Sequence, residues 1–194
     1  MSRATQLGRL FDSLAGKWIL LRELQSTDTS EPSGFCHGTA CFTPREPSPV
    51  INEDGKLDTA TAELLYEEEG QLEVSLTVKF AFSRKYIWRK NREADTCTIS
   101  VWFTKPGTES INYLFHKINV DPGKTTKPER GTVLAVEGCG GHLCVEDFYH
   151  SRYTFYLSGK GEDEAEALFS SFQTVHEVRG PKKDQIITTQ FTRA

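Results

Sequence analysis

The chain has 194 residues, with 23 Lys and Arg against 27 Asp and Glu, for a net charge of −4. That length suits one domain, 1–194, with a buried core of its own. The mild charge and the lack of any K/R cluster argue against nucleic acid as a partner, and no apolar run approaches the roughly 18 residues of a membrane-spanning helix.

The first residues, Met1 to Gln6, hold no apolar secretory segment. The five cysteines (Cys36, Cys41, Cys97, Cys139 and Cys144) are odd in number and irregularly spaced. Together these features predict reduced thiols and a cytoplasmic location. Residues 3–14 place Leu7, Leu10, Phe11 and Leu14 at the spacing of a one-sided helix, with Ser2 or Thr5 as its cap. Gly16 ends it, since glycine takes positive φ without a Cβ penalty. From Trp18 a strand is expected, with Trp18, Leu20, Arg22 and Leu24 on one face and Ile19, Leu21 and Glu23 on the other. A polar loop, 25–33, leads to a second strand, 34–43, where Cys36, Gly38, Ala40 and Phe42 share a face. Residues 44–60, with three prolines, read as a long mobile loop.

A third strand, 62–68, carries Leu64, Tyr66 and Glu68 together. From Leu72 to Trp88 every even position is apolar or aromatic except Arg84. That alternation predicts one long strand with a bend or bulge near 81–84. Residues 96–103 alternate again through Cys97, Ile99, Val101 and Phe103, and Lys105-Pro106-Gly107 signals a turn. Residues 111–120 put Leu114, His116, Ile118 and Val120 on one face. A loop is expected at 121–130. Residues 132–136 fit strand or helix, broken by Gly138, Gly140 and Gly141. Tyr149, Tyr153, Phe155 and Leu157 mark another strand, and 159–166 an acidic loop. Two last strands, about 169–179 and 184–193, flank the turn Gly180-Pro181-Lys182-Lys183. Nine or ten strands, one short helix and no βαβ rhythm make the chain all-β. A single antiparallel up-and-down barrel fits better than a sandwich, because no strand is built as an edge.

Gly16-Lys17-Trp18 after a short helix resembles the opening of the calycin (lipocalin-like) barrels. In those proteins a basic residue of the last strand packs across the Trp, the place Arg193 would fill. The whole chain also resembles an uncharacterised lipocalin-like family of short bacterial and fungal proteins, classed as a domain of unknown function. The landmarks are Gly16-x-Trp18 with Arg22, Gly38-x-Ala40-x-Phe42, Tyr66-x-Glu68-x-Gly70, Arg84-x-Tyr86-x-Trp88 and Phe115-His116. They continue with His142-x-Cys144-x-x-Asp147-x-Tyr149 and Gly180-Pro181-Lys182-Lys183-Asp184. The chain departs from that pattern at His176 and Phe191, where a Trp and a Tyr are expected. The resemblance implies a fold and no activity.

Parity puts four ionisable groups, Arg22, Glu68, Arg84 and His116, on apolar strand faces. Charged groups are seldom buried unpaired, so these must meet each other, water or a ligand. An Arg fork suits a carboxylate or phosphate; an internal Arg22–Glu68 ion pair needs no ligand at all. Tyr66, Trp88, Cys144 and Tyr153 complete the candidate binding set. His142 and Cys144 share a face, and a corner at Val145–Glu146 would bring Asp147, Tyr149 and Tyr153 to it. His142, Asp147 and Tyr149 are then an acid/base candidate, with Asp147 fixing the imidazole tautomer. A His among apolar neighbours is more often a satisfied core residue than a catalyst, and a Cys144 nucleophile needs a base within reach. Cys139-x-x-His142-x-Cys144 lacks the second ligand pair of a zinc site. The nearby glycines lack the strand–glycine–helix context of a phosphate loop, and nothing positive supports a haem on His116 or His142. No metal or cofactor is implied.

Three functions follow. The first is an intracellular barrel holding an amphipathic, anionic small molecule. Its apolar part would lie on Phe80, Phe82, Trp88, Val101 and Phe103, and its polar end on Arg84, Arg22 and His116. The second is a cofactor-independent isomerase, cyclase or lyase using His142, Asp147, Tyr149 or His116. The third is a structural or interaction protein whose interior is filled by its own side chains. The oligomeric state is not set by the sequence.

Overall fold

The computed structural model describes residues 3–51, 55–58, 60–75, 77–93, 96–126, 133–158 and 168–194. Helix α1 (Arg3–Ser13) is followed by β1 (Gly16–Ser26) and β2 (Gly34–Arg45). A short hairpin, β3 (Val50–Ile51) with β4 (Leu57–Asp58), comes next. Then follow β5 (Ala60–Glu73), β6 (Lys79–Glu93), β7 (Thr96–Thr104) and β8 (Ile111–Thr126). The chain ends with β9 (Val133–Cys144), β10 (Asp147–Ser158), β11 (Leu168–Arg179) and β12 (Asp184–Arg193). Ten strands close a barrel in the order β1-β12-β11-β10-β9-β8-β7-β6-β5-β2, each antiparallel to its neighbours. The expected up-and-down barrel is what the chain forms. Among the described residues, no helix is long and apolar enough to cross a membrane.

The seam between the first and last strands pairs Trp18 with Arg193. The Arg193 guanidinium lies 4.0 Å over the Trp18 ring and donates to the carbonyls of Ala15, at 2.7 Å, and of Ser13. One cation therefore closes the seam and ties the helix end to it. Gly16 has φ 115°, as the helix-to-strand turn requires. Leu10, Phe11 and Leu14 are buried over this end of the barrel. Beneath them Trp18 packs edge-on to Phe169 and Phe172, and Phe172 stacks on Phe191 at 4.1 Å. This end is filled. Of the helix caps considered, Ser2 lies outside the described residues and Thr5 is inside the helix. The side chains of Leu7, Cys97 and Leu157 also lie outside them.

Several sequence expectations change; Phe80, expected on the lumen wall, is mostly exposed and does not line the cavity. The run from Leu72 to Trp88 is two strands, not one with a bend near 81–84. The turn sits at Val74–Val78, where the Val74 amide donates to the Val78 carbonyl and the Ser75 hydroxyl accepts the Val78 amide. Leu72 pairs with Phe80, so even positions stay opposite even positions and the alternation reads through the turn unbroken. β8 continues to Thr126 where a loop was expected; 127–130 lie outside the described residues.

Gly138, Gly140 and Gly141 do not break β9. A Cβ on Gly138 would come within 2.8 Å of the Ile118 side chain, and one on Gly140 within 2.7 Å of the His116 ring. These glycines make room for neighbouring lumen side chains; Thr132 and the acidic loop 159–166 lie outside the described residues. Leu114 does not share a face with His116. A register shift in β7–β8 near Val101–Trp102 sends Leu114 outward onto Ile87 and Trp102, while Phe115 turns into the lumen.

Residues 45–51 and 55–58 lie on the outside of the barrel. Beneath them Glu63 bonds Arg45 at 3.1 Å and accepts the Ser48 amide at 3.0 Å. Arg89, fully buried, sits 3.5 Å from Glu63 and donates to the Ser48 carbonyl at 2.8 Å. Its odd position marks it as outward-facing, and it is; the residues outside then bury it.

Candidate functional site

The lumen is filled from the helix end to about its middle and open beyond. The open part is a cavity of about 500 Å³. Its wall is aromatic: Phe42, Tyr66, Phe82, Tyr86, Trp88, Phe103, Phe115, Tyr149, Tyr153 and Phe172 all line it. Inward parity on β1, β5 and β6 brings Arg22, Glu68 and Arg84 to the same space. Arg22 donates twice to Glu68, at 3.0 and 2.7 Å, and its Nε donates to Thr189 Oγ1 at 2.9 Å. The Tyr66 hydroxyl also donates to Glu68. Burial opposes the charge on Arg22, but Glu68 outweighs it and holds the guanidinium above its usual value. Burial, then Glu68, pushes Tyr66 well up, so it stays a neutral donor.

Arg84 is placed differently. Its Nε lies 4.0 Å from Glu68, and its side chain is 61% exposed against 15% for Arg22. The Tyr86 hydroxyl beside it raises its pKa, against burial. Glu68 thus compensates Arg22 closely and Arg84 only at a distance. The cation with capacity for an incoming anion is Arg84, and Lys183 stands across the cavity with its Nζ 3.4 Å from the Tyr149 hydroxyl.

His116 is buried at the inner end, its Nε2 2.6 Å from the Tyr153 hydroxyl. Burial, then His176 and His142, pushes it down to about 3. His176 Nδ1 pairs with Ser151 Oγ at 2.8 Å, and burial, then Arg22, lowers it to about 4. Burial also lowers His142. The histidines of the lumen are therefore neutral imidazoles near neutral pH.

The corner expected at Val145–Glu146 is a two-residue turn between β9 and β10, with Val145 at φ 60°. It pairs Tyr149 with His142 and brings both, with Cys144, to the cavity wall. Asp147 is not brought to the imidazole. Its buried carboxylate accepts the Lys182 amide at 3.1 Å and fits against Gly180, where a Cβ would lie 2.2 Å from it. Its observed work is to hold the β11–β12 turn. Cys139 lies on the outer face, opposite in parity to His142 and Cys144. Among the described residues, no group of three or more His, Cys, Asp or Glu is arranged to hold a metal ion.

A model of a family of unknown function, DUF6314, matches residues 14–193. The chain belongs to that family. The landmarks of this DUF6314 barrel fall on the lumen wall (Tyr66, Glu68, Arg84, Trp88, His142, Tyr149) and on the turn that Asp147 holds. No curated protein matches the chain in sequence. Its fold is similar to that of the S-type phycobiliprotein lyase CPES from Guillardia theta, at a TM-score of 0.58 and 7% identity. The match covers 100% of this chain and 93% of that one. At that identity the likeness is one of fold alone.

Several lumen residues escaped the sequence reading, Lys183, Phe115, His176 and Thr189 among them. His176 was visible only as a departure from the family pattern, and Thr189 carries no signal beyond its inward parity on β12.

Proposed function

We propose that this barrel is an intracellular binding protein for an amphipathic small molecule with an anionic end. One observation carries the reading: a 500 Å³ aromatic cavity opens past a guanidinium, Arg84, whose ion-pair partner among the described residues, Glu68, stands 4.0 Å away and is engaged by Arg22. Cavities of roughly 300–1,000 Å³ with an apolar wall and a few converging polar groups are the usual form of small-molecule sites. The apolar body of the ligand lies on Phe82, Trp88 and Phe103, and its carboxylate or phosphate meets Arg84, with Lys183 nearby. Arg22, Glu68 and Tyr66 form the rigid base under Arg84, and Cys144 belongs to the cavity wall. A cytoplasmic setting suits the free thiols of Cys36, Cys41, Cys139 and Cys144. An enzyme using His142, Asp147 and Tyr149 has less support, because Asp147 is engaged by the turn it holds.

The test uses pyrenebutyrate and its methyl ester. Wild type should bind the acid about tenfold more tightly than the ester, as expected of a charge-assisted bond. Arg84→Leu should remove that preference and leave ester binding unchanged. Equal affinity of wild type for acid and ester overturns the anionic-end reading.

A further inference from the structure

At the inner end of the cavity two buried nitrogens, His116 Nδ1 and Trp88 Nε1, have no hydrogen-bond partner among the described residues. His116 and Tyr153 are joined through Nε2 and the hydroxyl, while His116 Nδ1 is buried without a partner among the described residues. A neutral imidazole carries one proton, on one nitrogen or the other. On Nδ1 it would be an orphaned buried N–H, which is rarer in proteins than an unfilled lone pair. The proton therefore belongs on Nε2, and His116 donates to the Tyr153 oxygen. The hydroxyl proton of Tyr153 must then point elsewhere, and Tyr153 lines the cavity. Trp88, the cavity neighbour whose ring meets Tyr153 edge-on at 5.9 Å, has an indole N–H that is also buried without an acceptor among the described residues.

A glycine of β9 seats the imidazole. Gly140 leaves the space that the His116 ring occupies, so the backbone is shaped to keep that imidazole behind Tyr153.

We infer that Tyr153 and Trp88 are a specificity pair whose O–H and N–H receive an uncharged acceptor, a carbonyl oxygen, on the inner half of the ligand. The inference rests on the binding reading above and narrows its ligand class to carbonyl-bearing aromatic or conjugated acids. Trp88 lies four residues beyond Arg84 on one strand, roughly 13 Å along it. The acceptor is thus well separated from the anionic end, at a spacing a planar two-ring acid can bridge.

The matched probes are para,para′-acetylbiphenyl carboxylate and its isopropyl isostere, which differ in the carbonyl oxygen and little in shape. Wild type should prefer the acetyl compound about tenfold, the size expected when a buried donor is otherwise left unpaired. Tyr153→Phe and Trp88→Phe should each reduce that preference while both probes keep their dependence on Arg84. Equal wild-type affinity for the two probes overturns the inference and leaves the anionic-end reading standing. Nitrogen NMR of the His116 ring decides the donor geometry without any ligand and whether or not the Tyr153 variant folds: a protonated Nε2 supports it, a protonated Nδ1 overturns it. Failure of both probes to bind, with pyrenebutyrate also unbound, counts against the binding reading instead.

Discussion

Replacing Glu68 by Gln keeps its shape and removes its charge, which isolates what the buried carboxylate does. In the folded protein it accepts two bonds from Arg22, at 3.0 and 2.7 Å, and one from the Tyr66 hydroxyl, with Arg84 4.0 Å away. An amide can accept from one guanidinium nitrogen but turns its own N–H2 toward the other. Breaking a buried pair from one side costs about 3–5 kcal/mol, because the remaining charge is uncompensated. The Arg22 side chain keeps 15% exposure to the cavity, which places the loss at the lower end, about 3 kcal/mol. For a chain of this length that lowers Tm by about 10 °C. Urea unfolding and a thermal scan measure it. The companion variant is Arg22→Met with Glu68→Gln, which removes the stranded cation and should be more stable than Glu68→Gln alone. A Glu68→Gln loss below about 1 kcal/mol, or a double variant as weak as the sum of the two single changes, refutes the reasoning.

Other consequences can be measured beside it. Arg84→Leu should leave Tm within about 1 °C of wild type while lowering affinity for pyrenebutyrate about tenfold, since its side chain is mostly exposed. Mild acid should destabilise the fold. His116 titrates at about 3 when folded against an ordinary 6.5, so the unfolded chain binds a proton that the folded one refuses. That stability is full above 6.5 and falls with pH toward 3; near pH 4.5 the loss is about 3 kcal/mol from His116 alone, read as a lower urea midpoint. A midpoint constant from about pH 7 to about 4.5 would rule this out. Gly140→Ala places a methyl 2.6 Å from the Lys117 carbonyl and 2.7 Å from the His116 ring. It should cost about 1–3 kcal/mol and shift the His116 NMR signals. Val145→Gly relieves a β-branched residue at φ 60° and should raise stability by about 1 kcal/mol in the same urea assay.

How much of this was legible in the sequence depends on the range of the forces involved. Alternation on β1, β2, β5 and β6 reports which side of a sheet meets water, a local property. It correctly put Trp18, Arg22, Glu68, Arg84 and Trp88 inside the barrel. The Arg193–Trp18 contact was legible through the resemblance to the calycin barrels, in which a basic residue of the last strand packs across the opening Trp. What parity could not show is which inward charge is matched. Arg22 and Arg84 look alike in sequence. Only the closed barrel brings the Glu68 carboxylate into the fork of Arg22 and leaves Arg84 at 4.0 Å. Asp147 was misjudged for the same reason, since its partner at Lys182 lies 35 residues away. Arg89 is buried by residues that lie outside the barrel, His176 meets Ser151 from the next strand, and Phe115 is turned inward by a register shift between two strands. Each of these depends on a neighbour that is remote along the chain. Period and composition therefore determined the barrel and its inner face; the choice of which polar groups stay free for a ligand belonged to the tertiary structure, because pairing distances exist only once the strands have closed.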